Sequence, residues 1–165
     1  MSLNSFSVAT YNPKDVTLTF GGYVISDWDE VVLEKEEPTF KQYKGIDGRN
    51  TRVYNPDKSC KLKVKVLQTG LANAILSEVH RLDIQHKSAR LEIMLRDLSG
   101  DSLFHTTSAY ITKYPDVIYS GAFEWREWEI ACDDYTELFV SGNERPNSPI
   151  LNAIANGIDR VRDIF

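Results

Sequence analysis

The soft metal ligands in this sequence are His80, His86, His105, Cys60 and Cys132. Gathered around one point they would suit zinc, but none stands at zinc-finger or H-E-x-x-H spacing. The cysteines form no C-x-x-C pair, and reduced thiols are expected rather than a disulfide framework. Cys132 falls in an apolar alternating run, where a thiol is inert. The stretch DGRNTRVYNPD offers scattered acids and amides without the D-x-D-x-D-G order of a calcium loop. There is no G-x-S-x-G elbow. Asp27, Asp29 and Glu30 are close enough in sequence for acid–base work, yet they read as a solvated acidic turn, SDWDE. Gly21-Gly22-Tyr23 opens no helix and so makes no phosphate loop. The chemistry-bearing residues point away from catalysis, metal and cofactor.

A different pattern stands out at CKLKVKVLQTG, where Lys61, Lys63 and Lys65 alternate with Cys60, Leu62, Val64 and Val66. Period two makes this a strand with one buried and one basic side. A basic ladder suggests nucleic acid, but a nucleic-acid footprint needs aromatics beside the cations, and none alternates with these lysines. The whole chain of 165 residues carries a net charge of −5, so it is not steered toward polyanions. Acidic EKEE, Glu34 to Glu37, is placed to balance the lysines from a neighbouring strand.

The elements that would position these residues are mostly strands. Val16, Leu18 and Phe20 alternate with Thr17 and Thr19, Gly21-Gly22 reads as a tight hairpin turn, and Tyr23-Val24-Ile25 resumes. Val31-Val32-Leu33 starts a strand limited by Pro38. Residues 44–59 form a long polar excursion with turn signals at Asp47-Gly48 and Asn55-Pro56-Asp57 and a short strand at TRVY. Thr69 is placed to cap a helix whose apolar face is Leu71, Ile75, Val79 and Leu82. Leu91, Ile93 and Leu95 alternate in a further strand, and Leu103–Lys113 is a long β-branched and aromatic run. In AFEWREWEIAC the apolar phase slips between Trp125 and Trp128, which predicts a β-bulge near Arg126-Glu127 with both tryptophans on one apolar side. Ser148-Pro149 opens a C-terminal helix over 148–165, with Ile150, Ile154, Ile158, Val161 and Phe165 as its stripe. The fold class expected is mainly β: an antiparallel sandwich or barrel of about eight strands with one internal and one C-terminal helix.

Length and composition suit one domain over 1–165, preceded by an extended arm at 1–13. Hydrophobic residues make up 42% and charged residues 26%, as in ordinary soluble proteins. The opening MSLNSFSVATYNPKD lacks a basic n-region and apolar run, and no apolar stretch reaches the roughly 20 residues that span a bilayer. A soluble protein made inside a cell, without membrane contact, is expected.

The order of features has a counterpart. The hairpin FGGYVISDWDE, then KGIDGRNTRVYNPDKSCKLKVKVLQTGLANAILS with its G-x-D-G turn, excursion, alternating strand and helix opening, resembles the tail tube proteins of contractile-tailed bacteriophages. The resemblance runs from about Tyr11 to Val140 and is most specific across Gly45 to Leu76. It implies hexameric rings stacked into a hollow tube inside a sheath, a conduit for DNA during ejection, and no cofactor. The implied partners are copies of the chain, the sheath, baseplate and tail terminator proteins, and the tape measure protein and DNA in the lumen without specific binding. The implied location is the virion tail, assembled in the host cytoplasm. The inter-ring contact is expected from Lys44, Gly45, Ile46, Asp47, Gly48, Arg49, Asn50, Arg52, Tyr54 and Asp57. A slippery lumen suggests acids, with Asp27, Asp29, Glu30, Glu34 and Glu36 as candidates, and Lys61, Lys63 and Lys65 facing a neighbouring subunit or the sheath. Two alternatives remain at this point: the tube of a related bacteriocin particle or secretion system, and a monomeric β-barrel binding module.

Overall fold

The structure, a computed structural model, describes residues 10–142 and Gly157. Of the expected N-terminal arm, residues 1–9 lie outside the described residues. Pro13–Asp15 form a short 3-10 turn held by Asn12, whose side chain accepts from the Lys14 N–H at 3.1 Å. The C-terminal helix expected over 148–165 also lies outside the described residues; Gly157 alone is described there, and it is helical.

Eight strands make one antiparallel sheet. In chain order they are β1 (Val16–Phe20), β2 (Tyr23–Ile25), β3 (Trp28–Lys35), β6 (Cys60–Leu67), β7 (Leu91–Asp97), β8 (Leu103–Lys113), β9 (Trp125–Cys132) and β10 (Glu137–Phe139). The spatial order is β2-β1-β7-β8-β9-β6-β3, with β10 added beside β8. Two further strands, β4 (Phe40–Lys44) and β5 (Asn50–Tyr54), form a separate hairpin. The helix α1 spans Leu71–His86.

Period-two sequence becomes period-two burial most cleanly in β6, where Cys60, Leu62, Val64 and Val66 are buried and the three lysines half-buried. Together with Leu18 and Phe20 of β1, Phe104 and Ile111 of β8, and Trp128 and Ile130 of β9 they form one core. The sheet therefore curls over a single apolar interior, while β2 and β3 remain its two ends. The β1–β2 connection is the two-residue turn expected, with φ of +56° at Gly21 and +86° at Gly22. Positive φ at both positions is what such a turn demands and what glycine supplies without steric cost.

The acidic SDWDE is not a turn as a whole. Trp28, Asp29 and Glu30 already belong to β3, and Asp29 is the extra residue where the β3–β6 register shifts. Nor is there a bulge at Arg126-Glu127: β9 pairs with β6 without interruption from Trp125 opposite Leu67 to Cys132 opposite Cys60. Trp125 and Trp128 lie on opposite faces. Trp128 is in the core, and Trp125 is 38% exposed with its ring edge-to-face on Phe123 at 5.4 Å. The apparent slip is two apolar sets on two faces, one of them at the surface. The other register shifts fall between Leu91 and Ile93 and between Ile111 and Lys113.

The helix is turned about its axis relative to expectation. Its buried residues are Ala72, Asn73 and Leu76; of the expected face Val79 packs against the core and Ile75 is half-buried, while Leu71 and Leu82 are exposed. Asn73, which the apolar spacing sets on a polar face, is the reason. Its Oδ1 accepts from Trp128 Nε1 at 2.9 Å, and its Nδ2 donates to the carbonyls of Leu67, Gly70 and, at 3.4 Å, Gln68. A buried indole N–H needs an acceptor, and that need outranks the Leu stripe. The cap residue is Gly70 rather than Thr69, with no side-chain cap bond. A Cβ at residue 70 would fall 1.7 Å from Oδ2 of Asp27, so glycine here makes room for a carboxylate at the helix N-terminus.

Cys60 and Cys132 are cross-strand neighbours, both buried and both free thiols. Burial pushes the Cys132 thiol up to about 12, with Cys60 adding to the effect. These are core side chains and poor nucleophiles.

Candidate assembly surfaces

The excursion is a two-stranded arm, and it begins earlier than residue 44. Phe40 pairs with Tyr54, Gln42 with Arg52 and Lys44 with Asn50. Every residue of both strands is exposed. At the tip the Gly45 N–H donates to the Arg49 carbonyl and the Gly48 N–H to that of Gly45, while Asp47 Oδ1 accepts from the Arg49 N–H at 3.1 Å. Gly48 supplies the positive φ, +84°. Ile46 stands fully exposed at the apex, and Tyr43, Val53 and Tyr54 are also open to solvent. One face carries Arg52 over the Phe40 ring at 4.2 Å, beside Tyr54. At the base the Glu36 N–H donates to the Ser59 carbonyl. Asp57 lies in the return segment, where the Ser59 N–H holds its carboxyl below the ordinary value. The ten residues expected at the contact are thus the second half of the arm, its tip and its return. Phe40, Lys41, Gln42 and Tyr43 belong to the arm without being expected there. Their alternation is hard to read because neither face is buried.

The lysine ladder lies on the outer face of the sheet between two rows of carboxylates. Lys61 is opposite Glu34 and Lys65 opposite Glu30 on β3. On the other side, Lys63 is opposite Glu129 and Lys65 opposite Glu127 on β9, with Lys113 of β8 also opposite Glu129. Lys61 Nζ is 3.5 Å from Glu129 Oε1. Four lysines thus stand in register with four glutamates, and Lys61 with Glu129 is the pair that comes within salt-bridge distance, a half-exposed contact worth about 0.2–1 kcal/mol. The balance expected of EKEE comes from Glu34 of that run, from Glu30, and from Glu127 and Glu129. The last two are legible in the alternation of WREWEI, where both share the parity of Trp125.

The five acids expected together are dispersed. Glu30 and Glu34 stand on the lysine face, and Asp29 occupies the register shift. Glu36 is exposed at the base of the arm. Asp27 is set apart: both carboxylate oxygens are buried without a hydrogen-bond partner among the described residues. The histidines are scattered too. His80 rests edge-on against Tyr114, His105 Nε2 is 3.6 Å from Glu92, and His86 is exposed in the last turn of α1. Among the described residues no three His, Cys, Asp or Glu side chains gather as a metal-holding group, and no helix is long and apolar enough to cross a membrane.

Beside the open edge of β3 runs an apolar cleft of about 370 Å³, lined by Trp28, Val31 and Leu33 and, across from them, Leu138, Phe139 and Val140. The geometry thus offers open strand edges, an apolar cleft, a projecting arm and a face of mixed charge. These are parts for joining to other protein surfaces.

No family model matches the chain. Over 152 residues it is 30% identical to structural protein ORF10 of Pseudomonas phage KPP10, covering 86% of this chain and 87% of that protein. The chain belongs to the family of this phage structural protein. Family membership makes it a structural protein of a phage. Its fold is shared with a chain from the sheath–tube complex of an extracellular contractile injection system, the PVC particle in its extended state. The TM-score there is 0.51 at 12% identity, over 79% of this chain and 93% of that one. At that identity the likeness is one of fold.

Proposed function

We propose that this family member is the repeating subunit of a tail tube, with six copies closing into a ring and rings stacking into a conduit for DNA. The observation that carries this reading is the arm. An isolated two-stranded hairpin is at best marginally stable in water, and this one spends Phe40, Tyr43, Ile46, Val53 and Tyr54 on solvent. A partner surface that buries those side chains gives the arm its stability and its purpose. In a ring stack that partner is the next ring. The open edge of β3, with its adjoining cleft, is suited to the neighbour within the ring, since closure removes unpaired edges.

The charged face suits a channel lining. Six copies of an unopposed lysine ladder would attract phosphates and make passage salt-dependent. Lys61, Lys63 and Lys65 set among Glu30, Glu34 and Glu129 make a face without net charge, on which DNA slides without being held. The lining proposed is balanced, where the sequence alone suggests an acidic one with Lys61, Lys63 and Lys65 turned to a neighbouring subunit or the sheath. Sheath, baseplate, tail terminator and tape measure proteins are the further partners this role entails, in a virion tail assembled in the host cytoplasm. The role requires no catalysis and no cofactor. Negative-stain microscopy of the purified chain tests the reading: rings and hollow stacks are the expected result, and featureless monomers at assembly concentrations would overturn it.

A further inference from the structure

The two ends of the sheet are different in kind. β3 and β6 meet at Lys35 opposite Cys60, where the hairpin departs, and β9 ends there at Cys132. At the other end of the same strands lie Leu67 and Trp125, and with them the β8–β9 connection of residues 114–124. The ends are separated by the length of β6, about 23 Å for a strand of that length.

The hairpin is basic. Lys41, Lys44, Arg49 and Arg52 are opposed by Asp47 alone within the arm. The far end is acidic and apolar. There a cleft of about 250 Å³ is lined by Lys113, Asp116, Ile118, Trp125, Glu127 and Glu129. Lys113 lies opposite Glu129 in register, and the Glu129 carboxylate is 3.5 Å from Lys61 Nζ. Glu127 lies opposite Lys65 in register, yet among the described residues neither it nor Asp116 is within salt-bridge distance of a cation. Around the cleft Ile118, Tyr119, Phe123 and Trp125 are exposed, in a chain that places Trp128 wholly in its core.

We propose that this acidic, aromatic cleft is the seat for the basic, aromatic hairpin of a second copy of the chain. The proposal rests on the tube reading and specifies its contact. Opposite charge sets register and orientation, and the indole of Trp125 offers an arginine a face to stack on. Hairpin and seat lie at opposite ends of one subunit. The contact is therefore heterologous and repeats without closing on itself, as a filament requires. The same geometry gives the tube a direction, hairpins forward and seats behind.

Charge exchange in the full chain tests this. Arg49→Glu with Arg52→Glu in the hairpin, and separately Asp116→Arg with Glu127→Arg in the cleft, should each lower the fraction of chain sedimenting as stacks about tenfold or more. All four substitutions together should restore stacking to within about threefold of the parent. A cleft variant that stacks like the parent, or a combined variant no better than either alone, would overturn the seat. A second readout is independent of charge. Ile46→Cys with Ile118→Cys should cross-link between copies when assembled tubes are oxidised with copper phenanthroline, Cys60 and Cys132 being buried. Absence of that cross-link in intact tubes contradicts the assignment. If the parent chain makes no stacks, the tube reading itself fails. If it stacks while the cleft variants stack equally well, only the seat fails.

Discussion

Excising the hairpin leaves a folded sheet that no longer stacks. Thr39 and Asn55 are the natural junction, because the Asn55 N–H already donates to the Thr39 carbonyl at 2.7 Å. An Asn-Gly turn between them replaces Phe40 to Tyr54. The core loses nothing, since all the residues of both hairpin strands are exposed, and the base stays tied by Glu36 and Ser59. The melting transition should therefore move by no more than about 1 kcal/mol equivalent. Assembly should stop at single rings, seen as one sedimenting species in place of a distribution of stacks. A variant that lengthens into normal tubes would show that the arm is dispensable.

The second large effect is inside the subunit. Asn73→Leu is expected to cost about 2–4 kcal/mol of stability, lowering the melting temperature by roughly 5–15 °C. The leucine removes the acceptor of the Trp128 indole N–H and the donor shared by the carbonyls at the start of α1. Trp128 is 1% exposed, so its N–H finds no water in exchange. Adding Trp128→Phe removes the orphaned donor and should return part of the loss, making the double variant less unstable than the sum of the two. Thermal unfolding followed by circular dichroism reads both. An Asn73→Leu protein within about 0.5 kcal/mol of the parent would mean that the pair does not anchor the helix.

The sheet is largely legible in the sequence because burial on one side imposes period two. β1, β6 and β7 show it, β8 changes phase between Thr106 and Ala109, and the Gly21-Gly22 turn announces the first hairpin. Whatever lacks a buried side, or depends on a distant partner, is not legible. β4 has no buried face, so its alternation carries no apolar signal, and the sequence alone starts the arm too late, at 44. The orientation of α1 follows from Trp128, distant in sequence, and local spacing cannot see it. Exposed tryptophans are uncommon, so Trp125 reads as a core residue, and that reading generates a bulge the strand does not have. The candidate site follows the same division. The tip from Gly45 to Arg49 is readable from its turn chemistry. Asp27 groups with acids of similar sequence position, although its carboxylate is packed against Gly70 and theirs are not.

The measurement that bears most directly on the central claim is a helical reconstruction of the assembled chain by electron cryomicroscopy. The expected result is a hollow stack of rings in which Phe40 to Tyr54 of each subunit crosses into the next ring, and in which the face bearing Lys61, Lys63 and Lys65 among its glutamates borders the channel. A filament without a channel, or one in which the hairpin folds back within its own ring, would contradict it.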